Sequence, residues 1–302
     1  MLALVGAALW TLRDNLPSIL AVARSTRPRW VLVALASGLT LLTYVLLIES
    51  WRRVLGTVGG QLSPFDAAVT WLGSNLARYL PGTGWQLGLM GVMARERGVT
   101  LVMSTSASIL VTIASTLTGV AICLAGLATL AATPGTIPAL SNATLVVAGV
   151  SVVALACGPW FLPRLARTLS RLTGREIMLP RLSLRSVTIA ACGTAVAWIA
   201  YGVAFWLLAR AVLPTGTTRS LAGCITLYTF SYLVGWFNPM PAGIGVTEPV
   251  IVLLAPQFGV ATTAEAAVLA LFVRAWRTVM ETVPNLAVVA VDAVKRRRAV
   301  RS

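Results

Sequence analysis

Apolar residues fill most of this chain, and the places where they stop carry the information. Residues 11–29 interleave Leu12, Leu16, Ile19, Leu20 and Val22 with Arg13, Asp14, Arg24, Arg27 and Arg29. That pattern predicts an amphipathic helix lying on a membrane surface. The first ten residues are apolar but shorter than the roughly 20 needed to span a bilayer. They also lack the basic start and small-residue cleavage site of a signal peptide. Residues 1–29 therefore read as an interfacial N-terminal segment. A first spanning run covers 30–50, and a loop at 51–65 carries Arg52, Arg53, Gly59, Gly60 and Pro64. A shorter, more polar helix over 65–80 stops at Pro81-Gly82, and a second short helix continues to about Arg97. Long apolar runs follow at 100–132 and, after a Pro/Gly loop at 133–139, at 141–162. An arginine-rich loop occupies 163–185, and 186–213 spans again. A helix over 220–237 breaks at Asn238-Pro239-Met240-Pro241-Ala242-Gly243, and a short helix over 245–255 follows. The last helix is predicted over 263–294, with Pro284 as its expected kink.

The two breaks correspond. Each lies between short helices, and each second short helix is followed by a Gly-Val pair, Gly98-Val99 and Gly259-Val260. Pro81 and Pro241 are 160 positions apart, Gly98 and Gly259 161. Residues 30–132 and 186–294 thus form two repeats, each with full spans around a hairpin too short to cross twice. The linking helix at 141–162 makes the number of crossings between them odd, so the second repeat is inverted. The predicted fold is an all-α integral membrane protein with two re-entrant broken-helix hairpins and about five full spanning helices. Paired Gly/Pro-interrupted segments in two halves are a sequence pointer to a transport site.

Composition agrees with this pattern and excludes the soluble classes. Hydrophobic residues are 57% of the 302 and charged residues only 11%, against about 25% in a soluble domain. Mean hydropathy is +0.85. The net charge of +15 comes from 24 basic and 9 acidic residues. No basic stretch is interleaved with aromatics for base stacking, so nucleic acid is not an expected partner. The arginines sort by side instead. The loops at 51–65, 95–97 and 163–185 and the tail at 295–302 hold fifteen basic residues, against six on the opposite side. The positive-inside rule makes the richer side, with the C-terminus, cytoplasmic. Cys123, Cys157, Cys192 and Cys224 lie in or beside apolar runs without paired spacing, and there is no histidine. Neither a metal nor another cofactor is expected.

Charge inside hydrocarbon costs about 2.5–3.5 kcal/mol per residue on insertion scales and demands a reason. Arg78, Glu248, Arg274, Arg277 and Glu281 fall in or beside membrane segments. Residues 274, 277 and 281 share one helical stripe, on which Arg277 and Glu281 are placed to pair. Glu248 follows the second break within one turn, where free N–H groups favour an anion. Two readings stand side by side. Glu248 caps its helix and pairs with Arg274 as a lock, or the arginines hold a lipid phosphate that Glu248 gates. Arg78 beside Pro81-Gly82 is an interface anchor or a phosphate contact. Trp85 and Gln86 line a cavity or pack. Pro239, Pro241, Gly243 and Gly245 leave backbone groups unpaired, which at membrane depth is tolerated only inside protein or at a wet cavity.

These stretches resemble a family. Arg78-Tyr79-Leu80-Pro81-Gly82-Thr83-Gly84-Trp85 and Asn238-Pro239-Met240-Pro241-Ala242-Gly243-Ile244-Gly245-Val246-Thr247-Glu248 resemble the two signatures of the lysylphosphatidylglycerol synthase transmembrane-region family. The second signature is a Pro-x-Pro-Gly-Gly-x-Gly-x-x-Glu pattern, and Arg274 lies where the family has an arginine in its last helix. Ala242 departs from the pattern, since Gly is usual there, and the N-terminal segment is short. In the multiple peptide resistance factors this region is associated with flipping aminoacylated phosphatidylglycerol. A soluble aminoacyl-transfer domain follows it there. Here the chain ends about eight residues past the last predicted helix, and a stand-alone member is expected. The resemblance implies lipid translocation without lipid aminoacylation. Some stand-alone relatives lie near polyprenyl-phosphate glycolipid pathways, which adds polyprenyl-phosphate-linked sugars to the cargo classes.

The expected function is a flippase or transporter of a phosphate-bearing lipid in the cytoplasmic membrane. The alternative is a non-catalytic scaffold of a glycan-assembly system, with a glycosyltransferase or a second copy as its partner. A membrane-embedded lipid transferase ranks below both. Such chemistry needs a general base or a metal-binding carboxylate cluster, whereas Asp14, Asp66 and Asp292 sit at helix ends or loops.

Overall fold

A computed structural model describes residues 15–80, 85–131, 183–214, 220–236, 238 and 241–299. The expected loop at 133–139, linking helix at 141–162 and most of the loop at 163–185 lie outside the described residues. So do Pro81, Gly82 and Pro239.

The described chain is helical, without a strand. In order come α1 (Leu16–Ser25), α2 (Trp30–Thr57) and α3 (Pro64–Asn75), which runs on into a 3-10 turn (Leu76–Tyr79). Next are α4 (Trp85–Arg95), α5 (Leu101–Ala131), α6 (Leu184–Val212) and α7 (Leu221–Trp236). A second 3-10 turn (Pro241–Gly243), α8 (Thr247–Leu254) and α9 (Thr263–Ala299) complete the order. The protein is an all-α membrane protein. Among the described residues three helices are long and apolar enough to cross a bilayer: α2, α5 over Leu101–Ala128, and α6. Of the five crossings expected, one lies outside the described residues. The other, α9, is continuous over 37 residues through Pro284. Arg274, Arg277 and Glu281 in its middle keep it out of the apolar class. The apolar faces confirm the setting. Val31, Leu35, Leu42 and Val45 of α2 are exposed, as acyl chains allow and water does not.

Local sequence explains the short elements. Ser63 caps α3 by accepting the Asp66 N–H at 3.1 Å, and its hydroxyl donates back to the Asp66 carboxylate at 2.6 Å. Pro64 occupies the first turn, where its missing N–H costs nothing. At roughly 1.5 Å per residue, the arms α3, α4 and α8 are each shorter than the roughly 30 Å hydrocarbon thickness.

The chain forms two compact units: residues 1–43, 119–148 and 197–280, and residues 44–118, 149–196 and 281–302. The first contains α7, the second 3-10 turn and α8; the second contains α3, the first 3-10 turn and α4. Each of α2, α5, α6 and α9 contributes one part to each unit. The core of the first unit is Trp198, Phe205, Leu208, Leu227, Ile251, Phe258 and Leu269. Helices α6 and α7 meet closely there. A Cβ at Gly202 would stand 2.6 Å from the Ile225 Cα, and small residues at such crossings are how membrane helices gain dispersion contact. In the second unit Trp51 is buried and donates to the Ser108 hydroxyl at 3.0 Å. Ser50 donates to the Ile189 carbonyl at 3.2 Å.

Candidate functional site

The second break builds a compact polar site within the first unit. Helix α7 ends at Trp236, and the chain turns through the short 3-10 segment before α8 starts. Ala242 takes a left-handed conformation, φ 51 and ψ 23. Gly243 and Gly245 also have positive φ, at 65° and 74°. Glycine accepts that geometry freely, whereas an alanine pays about 1–2 kcal/mol for it. Gly243 is further fixed by closeness, since a Cβ there would stand 3.1 Å from the Gly235 Cα at the end of α7.

Two cations from α9 hold the turn. The Ala242 carbonyl accepts from Arg274 Nη1 at 3.2 Å and from Arg277 Nη2 at 2.7 Å. Residues 274 and 277 lie one turn apart, so both guanidiniums reach the same oxygen. Hydrogen bonds to a charged donor contribute about 1.5–3 kcal/mol, enough to offset the backbone strain at Ala242. The Arg277 guanidinium also lies 5.7 Å over the Tyr232 ring of α7.

Glu248 faces the same place from the first turn of α8. Its Oε2 accepts the Gly245 N–H at 2.9 Å, closing the open start of the helix. Its Oε1 lies 3.6 Å from Arg274 Nη1, with both side chains about four-fifths buried. That Oε1 is buried and accepts no hydrogen bond. Beside it lies a recess lined by Tyr228, Ser231, Thr247, Glu248, Arg274 and Arg277, with apolar walls from Ile251, Ala270 and Val273. Its empty space is about 290 Å³ with its open mouth included. The part of it that a water molecule can enter is only about 10 Å³, about the room one water needs, so the recess admits a larger anionic group only by displacing a group that now fills it.

The structure therefore brings together Glu248, Arg274, Arg277, Gly243 and Gly245. Pro241 opens the 3-10 turn of the same unit, whereas Arg78, Trp85, Gln86 and Glu281 belong to the second unit. There Glu281 Oε2 accepts from the Tyr79 hydroxyl at 2.9 Å. Gln86 Nε2 donates to Asn75 Oδ1 at 2.5 Å. Trp85 is exposed and Arg78 half-buried. The expected Arg277–Glu281 alignment is accompanied by other partners for both: the Ala242 carbonyl and Tyr79. Sequence reasoning missed Tyr228, Ser231 and Tyr232, although a polar and aromatic stripe on an apolar helix just before a break was the available signal. It also missed the Arg97 cluster. The positive-inside count places Arg97 among the loop cations, yet its side chain is only 6% exposed and bridges Asp66 at 3.3 Å and Asp292 at 2.7 Å. Nothing in the sequence marks a pairing between positions 195 apart.

The model of the lysylphosphatidylglycerol synthase TM region matches residues 1–284, and the chain belongs to that family. Comparison with the curated proteins finds no match.

Proposed function

On the premise of that family membership, which points to a membrane-embedded role involving lipids, we propose that this chain is a non-enzymatic translocator of a phosphate-bearing lipid. The cargo classes are an anionic or aminoacylated phospholipid and a polyprenyl-phosphate-linked sugar. The observation that carries the reading is the recess where Arg274 and Arg277 meet the Ala242 carbonyl. A phosphate oxygen competes with that carbonyl for the same N–H donors. Both bonds are charge-assisted, but a phosphate adds its own negative charge and fits the guanidinium fork bidentately, so an arriving phosphate displaces the carbonyl. The left-handed turn at Ala242 then loses its two ties. Binding is thereby coupled to release of the hairpin, as alternating access requires. In this reading both hairpins are re-entrant, the two repeats are inverted, and the protein sits in the cytoplasmic membrane with its C-terminus inside.

A second reading has its own observation in favour. Both arginines already have partners, and Glu248 caps α8 while facing Arg274. The cluster then serves as a lock that holds the hairpin in a scaffold for a partner glycosyltransferase or a second copy. Reconstituted vesicles with fluorescent lipid analogues separate the two. Translocation by the purified protein that is lost in Arg274→Ala supports the first. Absence of translocation with every phosphate-bearing lipid class sinks it. Recovery of transport in Arg274→Ala combined with Glu248→Gln makes the cluster a structural lock within a translocator and moves the phosphate contact elsewhere.

A further inference from the structure

The second unit holds a polar centre that the charged site does not use. Asn285 of α9 is 1% exposed, and its Oδ1 accepts no hydrogen bond. Gln86 Oε1 on α4 is likewise buried and without a donor. Gln86 donates its Nε2 to Asn75 at the end of α3, and Asn75 is 7% exposed.

The helix registers bring these three to one level. Glu281, Asn285 and Val289 are spaced i, i+4 and i+8, one stripe of α9. Glu281 accepts from Tyr79, and a Cβ at Gly73 would stand 3.4 Å from the Val289 Cγ2. Asn285 therefore faces the segment between Gly73 and Tyr79, where Asn75 sits. Helix α4 joins them. Met93 packs on Gly73, and Arg97, one turn on, reaches Asp292. Seven residues before Met93 on the same face is Gln86, at the level of residues 282–285.

We propose that Asn75, Gln86 and Asn285 form a neutral recognition site for the hydroxyls of a polyol or sugar headgroup. Burying an unpaired carbonyl oxygen costs about 1–3 kcal/mol, and α9 carries Asn285 near its middle, where a leucine would avoid that cost. The unmet atoms are acceptors, so the ligand supplies donors. A hydroxyl both donates and accepts, and it satisfies a carboxamide with its terminal O and N in either orientation. An ammonium does so in only one. That the hydroxyls arrive on a lipid rests on the translocation reading; the site itself does not.

The test uses the full-length purified protein in detergent with defined dioleoyl lipids, and reads their relative retention by native mass spectrometry. Phosphatidylglycerol and phosphatidylinositol are competed against phosphatidylmethanol, which carries the same phosphodiester charge without a headgroup hydroxyl. Phosphatidylcholine is the charge control. The expected result is about tenfold retention of a polyol lipid over the methyl lipid, the effect of one or two net hydrogen bonds. Preference for the glycerol or for the inositol headgroup identifies an open-chain or a ring polyol as the source. Gln86→Leu and Asn285→Leu should bring the ratio near one and leave the preference for anionic over zwitterionic lipid unchanged. Gln86 is only half-buried, so Gln86→Leu answers the question even where Asn285→Leu does not fold. Equal retention of polyol and methyl lipids by the unmodified protein overturns the proposal, as does a polyol preference that survives both substitutions. Loss of anionic preference with the polyol preference intact overturns the phosphate reading and leaves this site standing.

Discussion

The two broken hairpins draw on the same helix and receive opposite chemistry from it. To the unit with α7 and α8, α9 gives Arg274 and Arg277, which grip the Ala242 carbonyl beside Glu248. To the unit with α3 and α4 it gives Asn285, buried with its Oδ1 unpaired, and Glu281, which accepts from Tyr79. The charged break is strained and held by cations. The other has its charge further along, in the cluster of Arg97, Asp66, Asp292, Arg296 and Glu96. Two hairpins of similar sequence design therefore need not do the same work. A site that binds and releases an anion needs donors with a competing partner. A site that holds its hairpin in place needs ions that pair with each other.

Arg97→Ala should give the largest effect on stability and break the comparison most directly. The substitution leaves Asp66 and Asp292 without their shared cation and the Met93 carbonyl without its 2.9 Å donor. Removing one partner of a buried ion pair costs about 3–5 kcal/mol. Asp66 is 39% exposed and Asp292 keeps Arg296 at 3.0 Å, so a loss of about 2–4 kcal/mol is expected here. Thermal unfolding of the purified protein measures it. The lipid preference of whatever remains folded should be unchanged. A change in lipid selectivity without loss of stability would move Arg97 from the holding role to the binding role.

The contrast between the hairpins was only half legible in the sequence. The breaks announced themselves because proline and glycine act locally, and the element boundaries fell within a few residues of expectation except at α2, which continues to Thr57 through Arg52 and Arg53 of the expected 51–65 loop, where Glu49 pairs with both arginines. α8 starts at Thr247 where the sequence suggested 245. Arg274, Arg277 and Glu248 were readable because charge in an apolar run is expensive wherever it points. Tyr228 and Ser231 were not singled out, since a hydroxyl in a membrane helix is cheap when it bonds its own backbone, as Ser231 does to the Tyr228 carbonyl at 2.9 Å. Asn75, Asn285 and the Arg97 cluster depend on register between helices far apart in sequence, which no periodicity encodes.

Arg274→Ala comes next in size and sharpens the charged side. Lipid translocation should fall at least tenfold, the consequence of losing roughly 1.4 kcal/mol or more of binding to the moving phosphate. Stability should fall less than in Arg97→Ala, because Arg277 still holds the Ala242 carbonyl and Glu248 still caps α8. Arg274→Lys separates charge from geometry. A lysine restores the charge but not the planar fork that matches phosphate, so partial recovery points to phosphate contact. Full recovery points to simple pairing with Glu248. Arg296→Ala, Arg297→Ala and Arg298→Ala together should leave translocation intact. If they alone abolish the preference for anionic lipids, those lipids are only annular.

The smallest expected effect isolates the strain itself. Ala242 stands in a left-handed conformation at a position where the family usually has glycine, and its oxygen carries both arginine bonds. Ala242→Gly removes a penalty of about 1–2 kcal/mol in the folded protein. It also adds freedom to the unfolded chain, which returns about 0.4–1 kcal/mol. The net expectation is a stabilisation of up to about 1.5 kcal/mol, seen as a modest rise in unfolding temperature. Because the turn then no longer depends on the two guanidiniums to hold it, combining Ala242→Gly with Arg277→Ala should cost less than the separate effects add up to. A double-mutant cycle on thermal stability reads that coupling, which should be about 0.5 kcal/mol or more for residues in direct contact. Strict additivity would mean that the arginines do not support the strained turn, and that their place in the recess has to be explained by the ligand alone.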